Sequence, residues 1–209
     1  MDCESGAAFE GKALILATGA KPRMLGVERE EELVGSGVCY CAVCDGAFYA
    51  GHPVAVCGGG NSALQDALLL SESCSKVYLI HRRGSFRGEQ KLVEALGQRE
   101  NVVFILNAAV EELLGAEELE GLVLRENGQR REIAVDGLFV AVGHQPDNAA
   151  FAALLPLDGQ GYADCGEDCL TGTPGLFVAG DCRRKQVRQL TTAAADGAVA
   201  ALAAVRFLG

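Results

Sequence analysis

Long apolar runs are missing from this 209-residue chain. Its hydrophobic stretches are short and interrupted, so no membrane-spanning segment is expected. Met1–Gly11 carries acids and no apolar run, so no secretory signal is expected there. Basic residues are the minority, 18 against 28 acidic ones, giving a formal charge of −10. That balance excludes nucleic-acid binding as a main role and favours solubility. Histidine is scarce: His52, His81 and His144 are scattered, and there is no second CxxC. A structural zinc site needs four ligands at close spacing, so no metal site is expected. Cysteine is not scarce. Nine occur, without the spacing of a small secreted scaffold, and a reducing cytoplasm is the expected setting. A disulfide that forms there is expected to be catalytic.

The chain is 49% hydrophobic with 27 glycines, the profile of an α/β nucleotide-binding protein. Its centre of interest is Cys41-Ala42-Val43-Cys44-Asp45-Gly46. Two cysteines at this spacing serve as a redox pair or as structural thiols. Asp45 favours the redox reading, because a neighbouring carboxylate can take and return the proton that thiol–disulfide exchange moves.

A second signal follows. Pro53–Cys57 reads as a short buried strand, Gly58-Gly59-Gly60-Asn61-Ser62-Ala63 as a glycine loop, and the residues from Ser62 as a helix. Lys76–Ile80 is the next strand. Strand, glycine loop, helix and strand make a βαβ dinucleotide unit. Gly58 forms the tight turn, Gly60 lets backbone approach a pyrophosphate, and Ala63 permits close helix–strand packing. The second strand ends in His81-Arg82-Arg83, with Arg87 beyond, where an NAD site carries an acid. Cations at that place suit the 2′-phosphate of NADP.

Elsewhere, Lys12–Gly19 reads as a buried strand that needs neighbours from later in the chain. The Glu28–Glu32 charge run reads as a solvated connector. Glu89–Arg99 is an amphipathic helix and Val102–Leu106 a buried strand. Val110–Leu114, Leu119–Arg125 and Glu132–Val135 form an antiparallel meander turning at Asn127-Gly128. Leu138–Gly143 and Gly175–Asp181 are further strands ending in glycine, and Gln189–Leu208 is an Ala-rich helix. Asp181 reads as a sugar-hydroxyl ligand or as a capping or core-polar residue. Cys57 is a core hydrophobe, and strand alternation points Cys39 away from Cys41.

Taken together, Ala17-Thr18-Gly19, the CxxC with Asp45, the glycine loop, His81-Arg82-Arg83 with Arg87, Ala141-Val142-Gly143-His144, and Ala179-Gly180-Asp181 with Arg188-Gln189 stand in one order along the chain. In this the sequence resembles the low-molecular-weight thioredoxin reductases, flavoproteins with two dinucleotide-binding domains. The resemblance implies a Rossmann-like NADPH domain with a β-meander over residues 22–146, carrying the redox pair. Residues 1–21 and 147–209 would belong to an incomplete Rossmann-like FAD domain, with hinges at Lys21–Gly37 and Gly143–Asn148. Cys44 would face the flavin, Cys41 would attack the disulfide of thioredoxin or a similar dithiol protein, and Asp45 would handle the proton. Gly58, Gly60, Asn61, Ser62, Ala63, His81, Arg82, Arg83, Arg87 and Gly143 would serve NADPH. Thr18, Gly19, Gly180, Asp181, Arg188, Gln189 and Leu190 would line FAD. A cytoplasmic homodimer is implied as well. No GxGxxG precedes Lys12, so half of a flavin site is missing from this sequence and flavin loading by the chain alone is not expected. The alternatives are a non-catalytic NADPH-binding remnant, or a related reductase of another dithiol protein.

Overall fold

A computed structural model describes residue 6 and residues 8 to 209. Most of the Met1–Gly11 stretch in which no signal is expected, with Cys3 and the start of the 1–21 segment, lies outside the described residues. In chain order the strands are β1 Leu14–Leu16, β2 Ala20–Pro22, β3 Val38–Cys39, β4 Pro53–Cys57, β5 Lys76–His81, β6 Val102–Leu106, β7 Ala108–Leu114, β8 Gly121–Glu126, β9 Gln129–Ala134, β10 Gly137–Val140, β11 His144–Pro146 and β12 Leu176–Val178. The α-helices are α1 Ala42–Asp45, α2 Asn61–Ser71, α3 Gln90–Gly97 and α4 Leu190–Leu208. The chain divides into two compact units, Pro22–Gly143 and a second unit made of the residues up to Lys21 with His144–Gly209.

The Pro22–Gly143 unit is built on a five-stranded parallel sheet in the order β3-β10-β4-β5-β6. Its strands are apolar on both sides because both faces are covered. On β4, Val54 and Val56 face α2, where they pack with Ala63, Leu64, Ala67 and Leu70 and with Leu96 of α3. The alternate residues Ala55 and Cys57 face the antiparallel β7-β8-β9 meander and pack with Val110, Leu122, Leu124 and Ile133. Asn127 (φ 49°) and Gly128 (φ 84°) form the β8–β9 turn, both in the left-handed conformation that a tight hairpin needs.

Two sequence expectations need correction in this unit. Strand β3 was not anticipated; it enters the sheet through Leu138↔Val38 and Phe139↔Cys39. The Glu28–Glu32 run is not uniformly solvated, because Glu30 is 1% exposed. Its carboxylate accepts from the backbone N–H groups of Leu25 and Gly26 at 3.0 and 2.8 Å and from the Tyr40 hydroxyl at 3.0 Å. Burial, then the Glu30 hydrogen bond, pushes the Tyr40 phenol up to about 12.

In the second unit β1 finds its neighbour late in the chain, pairing parallel with β12 through Leu14↔Leu176 to Leu16↔Val178. Leu176 and Val178 join Leu16, Leu155, Ala163, Cys165 and Cys182 in one core. Phe177 and Ala179 turn the other way, onto Ala200 and Ala204 of α4 and onto Cys169. Gln189 and Thr192 cap α4 reciprocally. Contrary to the expectation of no such run, α4 is long and apolar enough, by length and composition, to cross a membrane. Here it packs on its own sheet strands and carries a buried acid, Asp196, at 5% exposure.

That acid is the centre of an ion cluster that sequence reading missed. Asp196 accepts from Arg183 at 2.7 and 2.8 Å, from Lys185 at 2.9 Å and from the Gly180 backbone N–H at 3.0 Å. Arg183 is 1% exposed, and its other NH2 contact goes outward to Glu167 at 3.0 Å. Burial alone would raise the Asp196 carboxyl, but the Arg183, Lys185 and Gly180 hydrogen bonds outweigh it and hold the group at about 2.

Candidate functional site

The cysteine pair lies just after β3. Cys41 has extended backbone (φ −145°, ψ 102°) and caps α1, its Sγ accepting from the Cys44 N–H at 3.1 Å. Cys41 and Cys44 are joined in a disulfide with their Cα atoms 5.3 Å apart. Cys44 is exposed, Cys41 half-buried, and Asp45 half-buried at the end of the same helical turn. Cys39 lies beneath them, 4% exposed, with its Sγ 3.5 Å from the Tyr49 hydroxyl. Burial raises the Cys39 thiol and the Asp45 charge adds to this, so Cys39 stays protonated and is a poor competitor for the pair.

A cavity of ≈ 350 Å³ opens at the C-terminal end of the sheet, walled by Gly58, Gly59, His81, Arg82 and Arg87 among others. This is the place in an open α/β sheet where ligands collect. Gly58 is packed too tightly for any side chain: an added Cβ would fall 2.5 Å from the Ala141 carbonyl oxygen and 2.6 Å from the Ala63 Cβ. Gly60 caps α2, and a Cβ there would meet open space. Ser62 is exposed beside it, one residue into the helix. Gly59, passed over in the sequence pattern, is as constrained as Gly58. A Cβ would lie 2.3 Å from the His81 ring, which stacks on Phe86 at 5.6 Å.

His81 is therefore part of the floor of the cavity. It is 5% exposed, and its Nε2 is buried without a hydrogen-bond partner. Burial first, then the charges of Arg87, Arg83 and Arg82, hold its pKa below the ordinary value, so the ring is neutral at pH 7. The positive charge at the cavity comes from Arg23, Arg82 and Arg87. Arg83 is exposed and not part of the cavity wall, and Gly143 (φ 113°) instead accepts from the Arg23 N–H at 2.9 Å.

The second unit gathers the remaining predicted residues. The Thr18 hydroxyl is bonded to Asn148 at 3.0 Å, and Asn148 also donates to the Gly161 and Cys182 carbonyls. Gly19 (φ 74°) and Gly180 (φ 81°) both need left-handed backbone. Asp181 follows Gly180, and its Oδ1 is buried with no partner. The Arg188 guanidinium stacks 4.2 Å above the Tyr162 ring and lies 3.5 Å from the Asp181 carbonyl. Gln189 caps α4, and Leu190 is 86% exposed. Cys165 and Cys182 share one core and Cys169 lies in another. Among the described residues no three His, Cys, Asp or Glu side chains are placed to hold a metal.

A glycine-loop cavity with arginines and a cysteine disulfide capping a helix in the same unit define a class, and the comparisons agree. The family model described as pyridine nucleotide-disulphide oxidoreductase matches residues 1–197, and the chain belongs to that family. Within it, the chain is similar to thioredoxin reductases. That of Mycoplasma genitalium is 45% identical over 194 residues, covering 91% of this chain and 62% of the relative. That of Listeria monocytogenes is 41% identical over 203 residues, covering 96% and 64%. The crystal structure of the Streptococcus pyogenes thioredoxin reductase superposes with a TM-score of 0.87 at 37% identity, covering 94% of this chain and 65% of that one. The chain thus spans somewhat less than two thirds of the length of these relatives.

Proposed function

We propose that this chain carries the NADPH-binding and dithiol machinery of a flavin-dependent reductase whose substrate is the disulfide of thioredoxin or a thioredoxin-like dithiol protein, acting as a cytoplasmic homodimer. The observation that carries this is the Cys41–Cys44 disulfide, held on α1 in the same unit as the Gly58–Gly59 cavity and its three arginines, Arg23, Arg82 and Arg87.

The donor set suits NADPH. The Gly58–Ala63 turn and the α2 N-terminus offer backbone N–H groups to a pyrophosphate. Arg82 and Arg87 offer paired donors to a 2′-phosphate, and the partnerless His81 Nε2 is one more polar atom on the wall. In the second unit, the partnerless Asp181 Oδ1 and the open backbone at Gly19 suit a flavin's sugar-like chain, with Thr18, Gly180, Arg188, Gln189 and Leu190 nearby in sequence or space. Bound flavin would supply the two-electron relay between nicotinamide and disulfide, because a disulfide does not take hydride from NADPH directly.

The cysteines then do the exchange. Two electrons and two protons convert the disulfide to two thiols. The Cys44 N–H already aimed at Cys41 Sγ favours its thiolate, which makes Cys41 the better nucleophile toward a substrate disulfide. Cys44 resolves the mixed disulfide, and Asp45 delivers the proton to the departing thiolate.

The test is a visible spectrum of the purified chain with and without added FAD, with turnover on thioredoxin. Against the sequence expectation that the chain alone takes up no flavin, this reading requires bound flavin that NADPH bleaches and the Cys41–Cys44 disulfide reoxidises, and Cys44→Ser should then abolish thioredoxin reduction while sparing NADPH-to-flavin transfer. A colourless chain that takes up no FAD yet binds adenosine 2′,5′-bisphosphate would replace the enzyme with a nucleotide-binding module.

A further inference from the structure

Asn61 opens α2 beside the glycine loop, where a side chain toward the cofactor is expected. Both ends of its amide are instead occupied by Glu89. Asn61 Nδ2 donates to Glu89 Oε1 at 3.0 Å, and Asn61 Oδ1 accepts from the Glu89 backbone N–H at 2.8 Å. Two residues earlier, the Gly59 carbonyl accepts from Arg87 N at 2.7 Å and from Gly88 N at 3.2 Å. Between these bonds Gly88 has no room for a side chain. An added Cβ would lie 2.4 Å from Leu64 Cδ1, 2.8 Å from Asn61 Oδ1 and 3.1 Å from Asn61 N. Lys91 occupies the other Glu89 oxygen at 2.8 Å, and its hydrogen bond and charge hold the Glu89 carboxyl below the ordinary range. Residues 87–89 are thus stapled along residues 59–61, and Arg87 rises from the start of the stapled segment into the cavity.

We propose that the Asn61–Glu89 pair is a latch that positions Arg87 for the 2′-phosphate, and so sets the preference for NADPH over NADH. The proposal rests on the reading of this cavity as the NADPH site. Arginine is costly to order, and a guanidinium whose backbone is already fixed loses less freedom when it grips a phosphate. The latch touches no ligand. It acts through the main chain, by holding the 2′-phosphate arm in register with the pyrophosphate loop.

The test titrates the whole chain with adenosine 2′,5′-bisphosphate and with ADP by calorimetry, which requires no flavin. Asn61→Ala, which removes both hydrogen bonds, should weaken the bisphosphate roughly tenfold, Glu89→Ala, which removes one and keeps the backbone N–H donor, roughly threefold, and ADP should weaken far less in either. Glu89→Gln keeps an acceptor for Asn61 and should retain most of the affinity. Gly88→Ala, which forces the segment away sterically, should reproduce the selective loss. In an Arg87→Ala background the latch substitutions should add no further selectivity loss. Equal weakening of both nucleotides, or unchanged binding in Asn61→Ala, would overturn the latch while leaving the NADPH reading intact. A wild-type chain that binds neither nucleotide would overturn that reading and the latch with it.

Discussion

Asp66 lies in the second turn of α2, half-buried, and burial raises its carboxyl from 3.8 to about 6. A carboxyl whose pKa rises on folding is less costly protonated. Its contribution to stability is fully present below pH 3.8 and is lost as the pH climbs through about 6. Above that, the native state holds an ionised group with too little solvation. Fully expressed, the shift corresponds to about 3 kcal/mol. Partial solvent access reduces this to about 1–2 kcal/mol. Asp66→Asn removes the charge at every pH. The substituted chain should therefore be more stable than wild type by about 1–2 kcal/mol at pH 8 and by about half of that at pH 5, the difference vanishing below pH 3.8. The sequence contains no tryptophan, so urea unfolding is best followed by circular dichroism, with a ¹³C-NMR titration of the Asp66 carboxyl alongside. A carboxyl that titrates near 4, or a variant equally destabilised at both pH values, would refute the reasoning.

Gly59→Ala should cost about 1–3 kcal/mol, since the new methyl must displace the buried His81 ring from its stack on Phe86; a shift of the His81 ring resonances with loss of nucleotide binding is the expected signature. Asp196→Ala should cost about 3–5 kcal/mol by stranding the buried Arg183 and Lys185 charges. Limited proteolysis should then open the His144–Gly209 segment while Pro22–Gly143 resists.

Strong local chemistry made the central sheet legible from sequence. Apolar strands, a glycine loop and a helical period follow one another from Pro53 to Ile80, and each excludes most alternatives. The short partner β3 left no such trace, because two residues carry no period and their pairing with β10 spans about a hundred positions. Glu30 was hidden inside a charge run. Its burial follows from two backbone N–H groups in a tight turn, a demand that composition does not reveal. His81 sits among arginines and reads as a cation, yet packing against Gly59 decides its charge. The Asp196 cluster did carry a signal: a lone acid amid alanines on an otherwise apolar helix, thirteen residues from Arg183. Asn61 shows the opposite limit, since its place in the motif is plain while its partner Glu89 is visible only in three dimensions.

The distribution of sulfur makes the protein its own reporter. Among the described residues only Cys41 and Cys44 reach solvent, and six thiols are interior. Cys57 is raised to about 12 and Cys165 to about 11 by burial, so neither reacts with an alkylating agent while the fold is closed. Three interior thiols, Cys39, Cys57 and Cys74, belong to Pro22–Gly143, and three, Cys165, Cys169 and Cys182, belong to the other unit. A brief pulse of iodoacetamide followed by peptide mass mapping would therefore date the opening of each unit separately, with no residue substituted.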